Sequence, residues 1–153
     1  PLAESAAQMS RWASERFGAA GLSLVDHSGL SDRSRISAGD MVRILVKARN
    51  STELNALLKD IKMRNAKGNL AQSAPTGFRA KTGTLNFVAG LGGYVTTAEG
   101  RELAFAIFSA DTALRALIPV AQRERPKGAS GWNRRAKILQ YKMLNRWCRQ
   151  YRS

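Results

Sequence analysis

One cysteine, Cys148, and one histidine, His27, stand in a chain of 153 residues. A lone thiol excludes an internal disulfide and any cysteine-built zinc site, and a lone imidazole excludes a histidine-rich metal centre. One thiol suits an oxidising and a reducing compartment equally. Aromatics are sparse at 7%, but 44% hydrophobic residues exclude intrinsic disorder, which needs low hydrophobicity. No apolar run approaches the roughly 20 residues that a membrane-spanning helix requires. The opening segment carries acids and no apolar stretch, so it does not read as a signal peptide. Export would need a signal already removed. Acids are scarcest near the end: residues 123–153 hold ten Lys/Arg against Glu124 alone, while residues 1–122 hold fifteen bases and ten acids. The net charge of +14 is therefore concentrated in the last fifth of the chain. Such a segment suits an anionic neighbour (nucleic acid, an acidic membrane surface, an anionic polymer) or is simply a solvated helix face.

What is present fits one domain of ordinary size, able to bury about two thirds of its unfolded surface. Leu2, Ala6, Met9, Ala13 and Phe17 recur at helical spacing, and Gly18 is a stop. Residues 21–26 read as a short extended piece, followed by a loop rich in Ser, Gly and Asp. Ser37 and Asp40 form a capping box ahead of Met41, Ile44, Leu45 and Ala48, and Ser51 or Thr52 can cap a further short helix. Residues 63–77 read as a long polar loop. The period then changes: residues 78–85, 88–97 and 102–110 are strand-like, with a tight reversal at 98–101. Asp111 can cap a helix to about Gln122, and residues 123–132 read as a basic linker. A final helix from about Asn133 to Gln150 carries Ile138, Tyr141, Leu144 and Cys148 on one stripe, beside Trp147. The fold class expected is α+β: an antiparallel sheet of about three strands flanked by helices. The domain division expected is a body over 1–122 and a basic linker with an amphipathic helix over 123–153. Trp12, Trp132, Trp147, Phe105 and Phe108 are read as core or interface residues, and Cys148 as a small buried hydrophobe.

The chemistry concentrates in Lys81-Thr82-Gly83-Thr84, on the first long strand. Lysine supplies positive charge, threonine can hydrogen-bond a carboxylate, and glycine lets another backbone come close, as in strands that line a ligand groove. The plain alternative is that Lys81 and Thr82 are only exposed strand residues. Lys-Thr-Gly is also a signature of penicillin-binding proteins and serine β-lactamases. The run at 77–84 (GFRAKTGT), then AGLGGYV at 89–95 and GRELAF at 100–105, resembles the C-terminal part of the D-alanyl-D-alanine carboxypeptidase/endopeptidase family, the peptidase S13 group of class C low-molecular-weight penicillin-binding proteins. Upstream, Val25-Asp26-His27-Ser28-Gly29-Leu30-Ser31 is similar to that family's Asp-Gly-Ser-Gly-Leu-Ser segment. Together the two segments cover roughly residues 5–110.

That resemblance implies a transpeptidase-like fold shared with penicillin-binding proteins and β-lactamases. It implies that Lys81 is catalytic, assisting proton movement on the nucleophile's side and adding positive potential for the substrate's carboxylate. Thr82 would hydrogen-bond that carboxylate, Gly83 and Thr84 would line the substrate strand, and the Thr84 N–H would be an oxyanion-hole donor. The family's Ser-x-x-Lys and Ser-x-Asn motifs occur nowhere in the chain. Both lie upstream in the family, so Pro1 is expected to begin partway through the protein, and the chain alone is expected to be inactive. The upstream loop departs from the family at His27 (glycine is usual), Asp32 (a base is common) and Ser34 (asparagine is common). It is expected to be structural, with Asp26, Ser28 and Ser31 shaping a turn near the site. A positive φ at position 27 would strain histidine.

The implied function is the C-terminal fragment of a serine-type D-Ala-D-Ala carboxypeptidase/endopeptidase of peptidoglycan metabolism, periplasmic or attached to the cell envelope. Serine acyl transfer needs no metal and no organic cofactor. The implied partners are a peptidoglycan stem peptide ending in D-Ala-D-Ala, β-lactams for the intact protein, and either the N-terminal remainder or a second copy of the chain. Two other functions stay open on sequence alone. One is a non-catalytic module that binds wall peptide. The other is a basic nucleic-acid binder, although no recognition motif and no aromatic stacking platform supports it, so no specific nucleic acid is expected.

Overall fold

A computed structural model describes residues 2–62, 77–124 and 126–151. The polar segment at 63–76 lies outside the described residues. The chain divides into two compact units, Pro1–Leu57 and Leu58–Ser153.

The first unit holds three helices: α1 (Leu2–Phe17), α2 (Ala38–Lys47) and α3 (Thr52–Leu57). Helix α1 follows its predicted limits, but it buries Ala6 and Ala13 while Trp12 is 59% exposed and meets Phe17 edge-on at 5.2 Å. The small residues of the stripe are the buried ones. Ser37 caps α2, its Oγ accepting the Asp40 N–H at 2.9 Å, as a Ser-x-x-acid signature demands. The buried Asp40 carboxylate accepts from Ser37 Oγ at 2.8 Å and from Arg43 at 2.8 Å. The Ser37 hydroxyl and Arg43 hold it below the usual carboxylate range.

The second unit is built on a four-stranded antiparallel sheet in the order β1 (Lys59–Asp60), β2 (Gly77–Leu85), β3 (Val88–Thr96), β4 (Glu102–Ala110). The α+β class stands, with one strand more than expected. The additional β1 is two residues long and too polar to show a period, and it pairs only with Arg79 and Ala80. The reversal after β3 closes through Gly100 N–H to Thr97 C=O, with Gly100 at φ +86°. Chain alternation sends Phe78 and Ala80 of β2, Leu91 and Val95 of β3, and Phe105 and Ile107 of β4 to one face. There they form a core with Tyr141 and Leu144 of α5 (Ala129–Gln150). Phe108 points to the other face and is 43% exposed.

Two helix limits differ from expectation. Helix α4 (Thr112–Ala116), capped by Asp111, ends there, because Pro119 lacks an N–H and disfavours helical geometry at Ile118; a single 3₁₀ turn follows at Val120–Gln122. Helix α5 starts four residues early, behind Gly128 at φ +86°, so the last four residues of the expected linker are helical. Its buried side chains include Ala136 and Gln140 besides Tyr141 and Leu144. Cys148 is half-buried against the core, and the apolar surroundings push its thiol up. No helix of the described residues is long and apolar enough to cross a membrane.

Candidate functional site

The tip of the β2–β3 hairpin carries the candidate site. Two residues, Asn86 and Phe87, join the paired Leu85 and Val88. Phe87 adopts φ +59°, an unfavourable conformation for a bulky residue. Its ring is nonetheless buried, edge-on to Trp132 of α5 at 6.2 Å, and its carbonyl accepts the Asp111 N–H at 2.9 Å. Burial and these contacts hold the turn, and with it the end of β2.

Strand period splits the four site residues of β2 between the two faces. Thr82 pairs with Leu91 and Thr84 with Ala89, on the face covered by α5. Lys81 pairs with Gly92 and Gly83 with Gly90, on the opposite face. Lys81, Gly83 and Thr84 are exposed and Thr82 is half-buried. A Cβ built on Gly83 would meet nothing within 4 Å, so no group of the described residues requires glycine there. The backbone is split as well. In an antiparallel pair closed by a two-residue turn, alternate residues direct N–H and C=O away from the partner strand. The Ile61 N–H bonding the Phe78 C=O at 2.8 Å puts the even-numbered residues of β2 in that class. The N–H of Thr84 and the C=O of Thr82 thus face the edge of β2 away from β3, which among the described residues β1 pairs only at 79–80. Lys81 Nζ donates to that Thr82 carbonyl at 2.5 Å.

On the Thr82 side a cavity of about 220 Å³ is lined by Thr82, Thr84, Ala89, Gly90 and, from α5, Asn133, Arg134, Lys137 and Gln140. Asn133 Nδ2 donates to the Leu85 carbonyl at 2.9 Å and Gln140 Nε2 to the Ala89 carbonyl at 3.0 Å. These two bonds tie the helix to the ends of β2 and β3. The Asn133 Oδ1 is buried with no hydrogen-bond partner among the described residues. The lining holds two cations and no acid, so it suits an anion. Lys81 does not line it. Sequence reasoning missed the helix residues by treating α5 as a basic amphipathic tail. Stepping back from Leu144 by helical spacing reaches Gln140, Lys137 and Asn133, polar residues on a core-facing stripe, and that was the available signal.

The upstream loop lies in the first unit and is organised around one carboxylate. Asp26 Oδ2 accepts from the Ser28 hydroxyl, from Leu30 N–H at 3.2 Å and from Ser31 N–H at 3.3 Å, and Oδ1 accepts from Ser34 Oγ at 2.8 Å. Those hydrogen bonds, the two hydroxyls foremost, lower the Asp26 pKa to about 2. Ser34 Oγ also takes the Val25 N–H at 3.2 Å, and Ser31 Oγ takes the Arg33 N–H at 3.1 Å. The positive φ in this loop belongs to Gly29 at +70° and not to His27, so histidine carries no strain. No group of three potential metal ligands occurs among the described residues.

None of the curated proteins is similar enough in sequence to match. Among solved structures the chain is similar to a predatory endopeptidase of Bdellovibrio bacteriovorus in complex with an immunity protein, at a TM-score of 0.61 and 17% identity, covering 95% of this chain and 37% of that one. It is also similar to penicillin-binding protein 4 of Haemophilus influenzae complexed with a β-lactam, at a TM-score of 0.52 and 20% identity, covering 90% and 31%. The fold is thus the one expected from the sequence, and the chain spans about a third of the length of these two proteins. The model of the D-Ala-D-Ala carboxypeptidase 3 (S13) family matches residues 4–133, most of the chain, and the chain belongs to that family.

Proposed function

We propose that this chain is the C-terminal portion of a serine-type D-Ala-D-Ala carboxypeptidase/endopeptidase of peptidoglycan metabolism, working in the cell envelope. It contributes the substrate strand, and the nucleophile lies outside these 153 residues. The observation that supports this reading best is the division of labour at the end of β2: two hydroxyls and a cationic cavity on one face, an ammonium on the other, and an N–H at the edge between them.

A stem peptide ending in D-Ala-D-Ala runs along that edge of β2, as extended peptides do at sheet edges. Its terminal carboxylate meets the hydroxyls of Thr82 and Thr84. The carbonyl of the penultimate residue then lies towards the Thr84 N–H, which stabilises the oxyanion when a serine oxygen attacks. The serine proton leaves through basic groups on the Lys81 side. The C–N bond breaks, the departing D-Ala amine takes up a proton, and water hydrolyses the acyl-serine. Lys81 acts by holding positive charge beside the serine and assisting that proton movement. A β-lactam would be trapped at the acyl stage. No step requires a metal or an organic cofactor.

The test is labelling with a fluorescent penicillin, applied to the protein carrying its upstream region. Labelling is expected there, reduced by about 100-fold or more in Lys81→Ala, and absent from the 153-residue chain alone. Labelling that survives Lys81→Ala, or that fails although an upstream Ser-x-x-Lys is present, overturns the proposal.

A further inference from the structure

The Thr82–Thr84 cavity has a wall that the substrate strand does not supply. Arg134 and Lys137, one turn apart on α5, line it opposite the two hydroxyls. Both are exposed, so neither is held there by core packing. Asn133 and Gln140, through their bonds to the Leu85 and Ala89 carbonyls, fix the rotation and height of the helix that carries them. The family match ends at residue 133, so Arg134, Lys137 and Gln140 lie beyond the matched residues. Lys81, the one cation of the substrate strand's tip, sits on the other face and is occupied with the Thr82 carbonyl. Positive charge for an anion in this cavity therefore comes from the helix.

Resting on the peptidase reading above, we infer that Arg134 and Lys137 are specificity-determining residues that hold the free carboxylate at the C-terminal D-centre of the substrate, so that carboxylate substrates are selected over their amides. The chemistry fits. A guanidinium presents paired donors matching a carboxylate, an ammonium adds a point charge, and both form charge-assisted bonds stronger than neutral ones. The size fits as well, since about 220 Å³ is below the roughly 300–1,000 Å³ of drug-sized sites and accommodates one terminal residue. An amide would lose the ion pairs and set its NH₂ donors against two cationic donors.

The experiment is an NMR titration of the protein carrying its upstream region, its nucleophilic serine replaced by alanine so that the ligand is not turned over, with N-acetyl-D-Ala-D-Ala and with its C-terminal amide, following the Thr82, Thr84 and Gly90 amides. The acid is expected to bind at least about tenfold more tightly than the amide, a ratio worth one charge-assisted contact. Arg134→Gln with Lys137→Gln should bring the ratio to within about twofold, Lys137→Gln alone should lower it partway, and Lys142→Gln, an exposed base of the same helix outside the cavity, should leave it unchanged. Far-UV and near-UV circular dichroism verifies that each variant is folded. An acid preference that persists in the double variant, or one absent with both cations in place, overturns the inference. If penicillin labelling still depends on Lys81 in that case, the peptidase reading stands. Loss of labelling with the acid preference intact and sensitive to Arg134 and Lys137 sinks the peptidase reading instead.

Discussion

The loop at 26–34 and the strand tip at 81–84 are both rich in polar groups, and they use them in opposite ways. In the loop, Asp26 engages both carboxylate oxygens with partners no more than eight positions away. Its polar atoms are consumed in fixing the turn. At the strand tip, no hydrogen bond engages the Thr82 or Thr84 hydroxyl among the described residues, the Thr84 N–H faces the edge of β2 away from β3, and Gly83 has open space where a side chain would be. Polar groups satisfied by their own segment stabilise that segment. Groups held in place by a packed scaffold but left unsatisfied are available to a ligand.

The sharpest contrast lies within one strand pair. Both Gly93 and Gly83 sit in it, but a Cβ on Gly93 would come within 2.2 Å of the Arg79 carbonyl oxygen and 2.6 Å of the Ala80 Cα. Backbone cannot swing away as a flexible side chain can. Gly93→Ala is expected to cost about 3 kcal/mol or more, measured as a drop in the urea midpoint at constant m. Gly83→Ala should leave stability within about 0.5 kcal/mol, while penicillin labelling of the protein carrying its upstream region falls steeply, since the added methyl stands where a ligand's backbone would approach. Equal losses of stability in the two variants would show that the tip is scaffold after all.

A smaller effect is expected at the seam between scaffold and tip. Gln140 is 3% exposed and donates to the Ala89 carbonyl at 3.0 Å. Gln140→Leu leaves that carbonyl short of a partner and should cost about 1–2 kcal/mol. It should also loosen the acid-over-amide preference, because the helix bearing Arg134 and Lys137 loses one of its two ties to the sheet. Unchanged preference with lowered stability would separate the two roles.

Much of this is legible in the sequence, and the reasons are local. Strands β2 to β4 declare themselves because Val, Ile, Phe and Tyr change the period after residue 77, and Ser37 with Asp40 announces a helix start through short-range hydrogen bonds. The Lys81–Thr84 tip is recognisable because its chemistry is contiguous in sequence. The other wall of the cavity is not contiguous with it. Asn133, Arg134, Lys137 and Gln140 gain meaning only when α5 crosses the sheet ends some fifty positions later, and in sequence they blend into a run of bases. β1 escaped for a different reason: two polar residues carry no period, and only pairing with Arg79 and Ala80 makes them a strand.

Acid should act on the loop and spare the strand tip. Asp26 has its pKa lowered from 3.8 to about 2, so the folded loop prefers the ionised form. The stabilisation is fully present above pH 4 and is lost as pH falls through about 2, because below that both folded and unfolded forms are protonated. Amide resonances of Leu30 and Ser31, whose N–H groups donate to Asp26, should therefore titrate with a midpoint near 2. Asp26→Asn should abolish the transition and leave the loop more open at pH 6, because an amide oxygen accepts more weakly and its NH₂ cannot accept at all. The Thr82 and Thr84 amides should stay still over the same range, since no acid lines their cavity. Movement of the strand tip in step with Asp26 would mean that the two segments are coupled, and the loop would then have to be counted as part of the site.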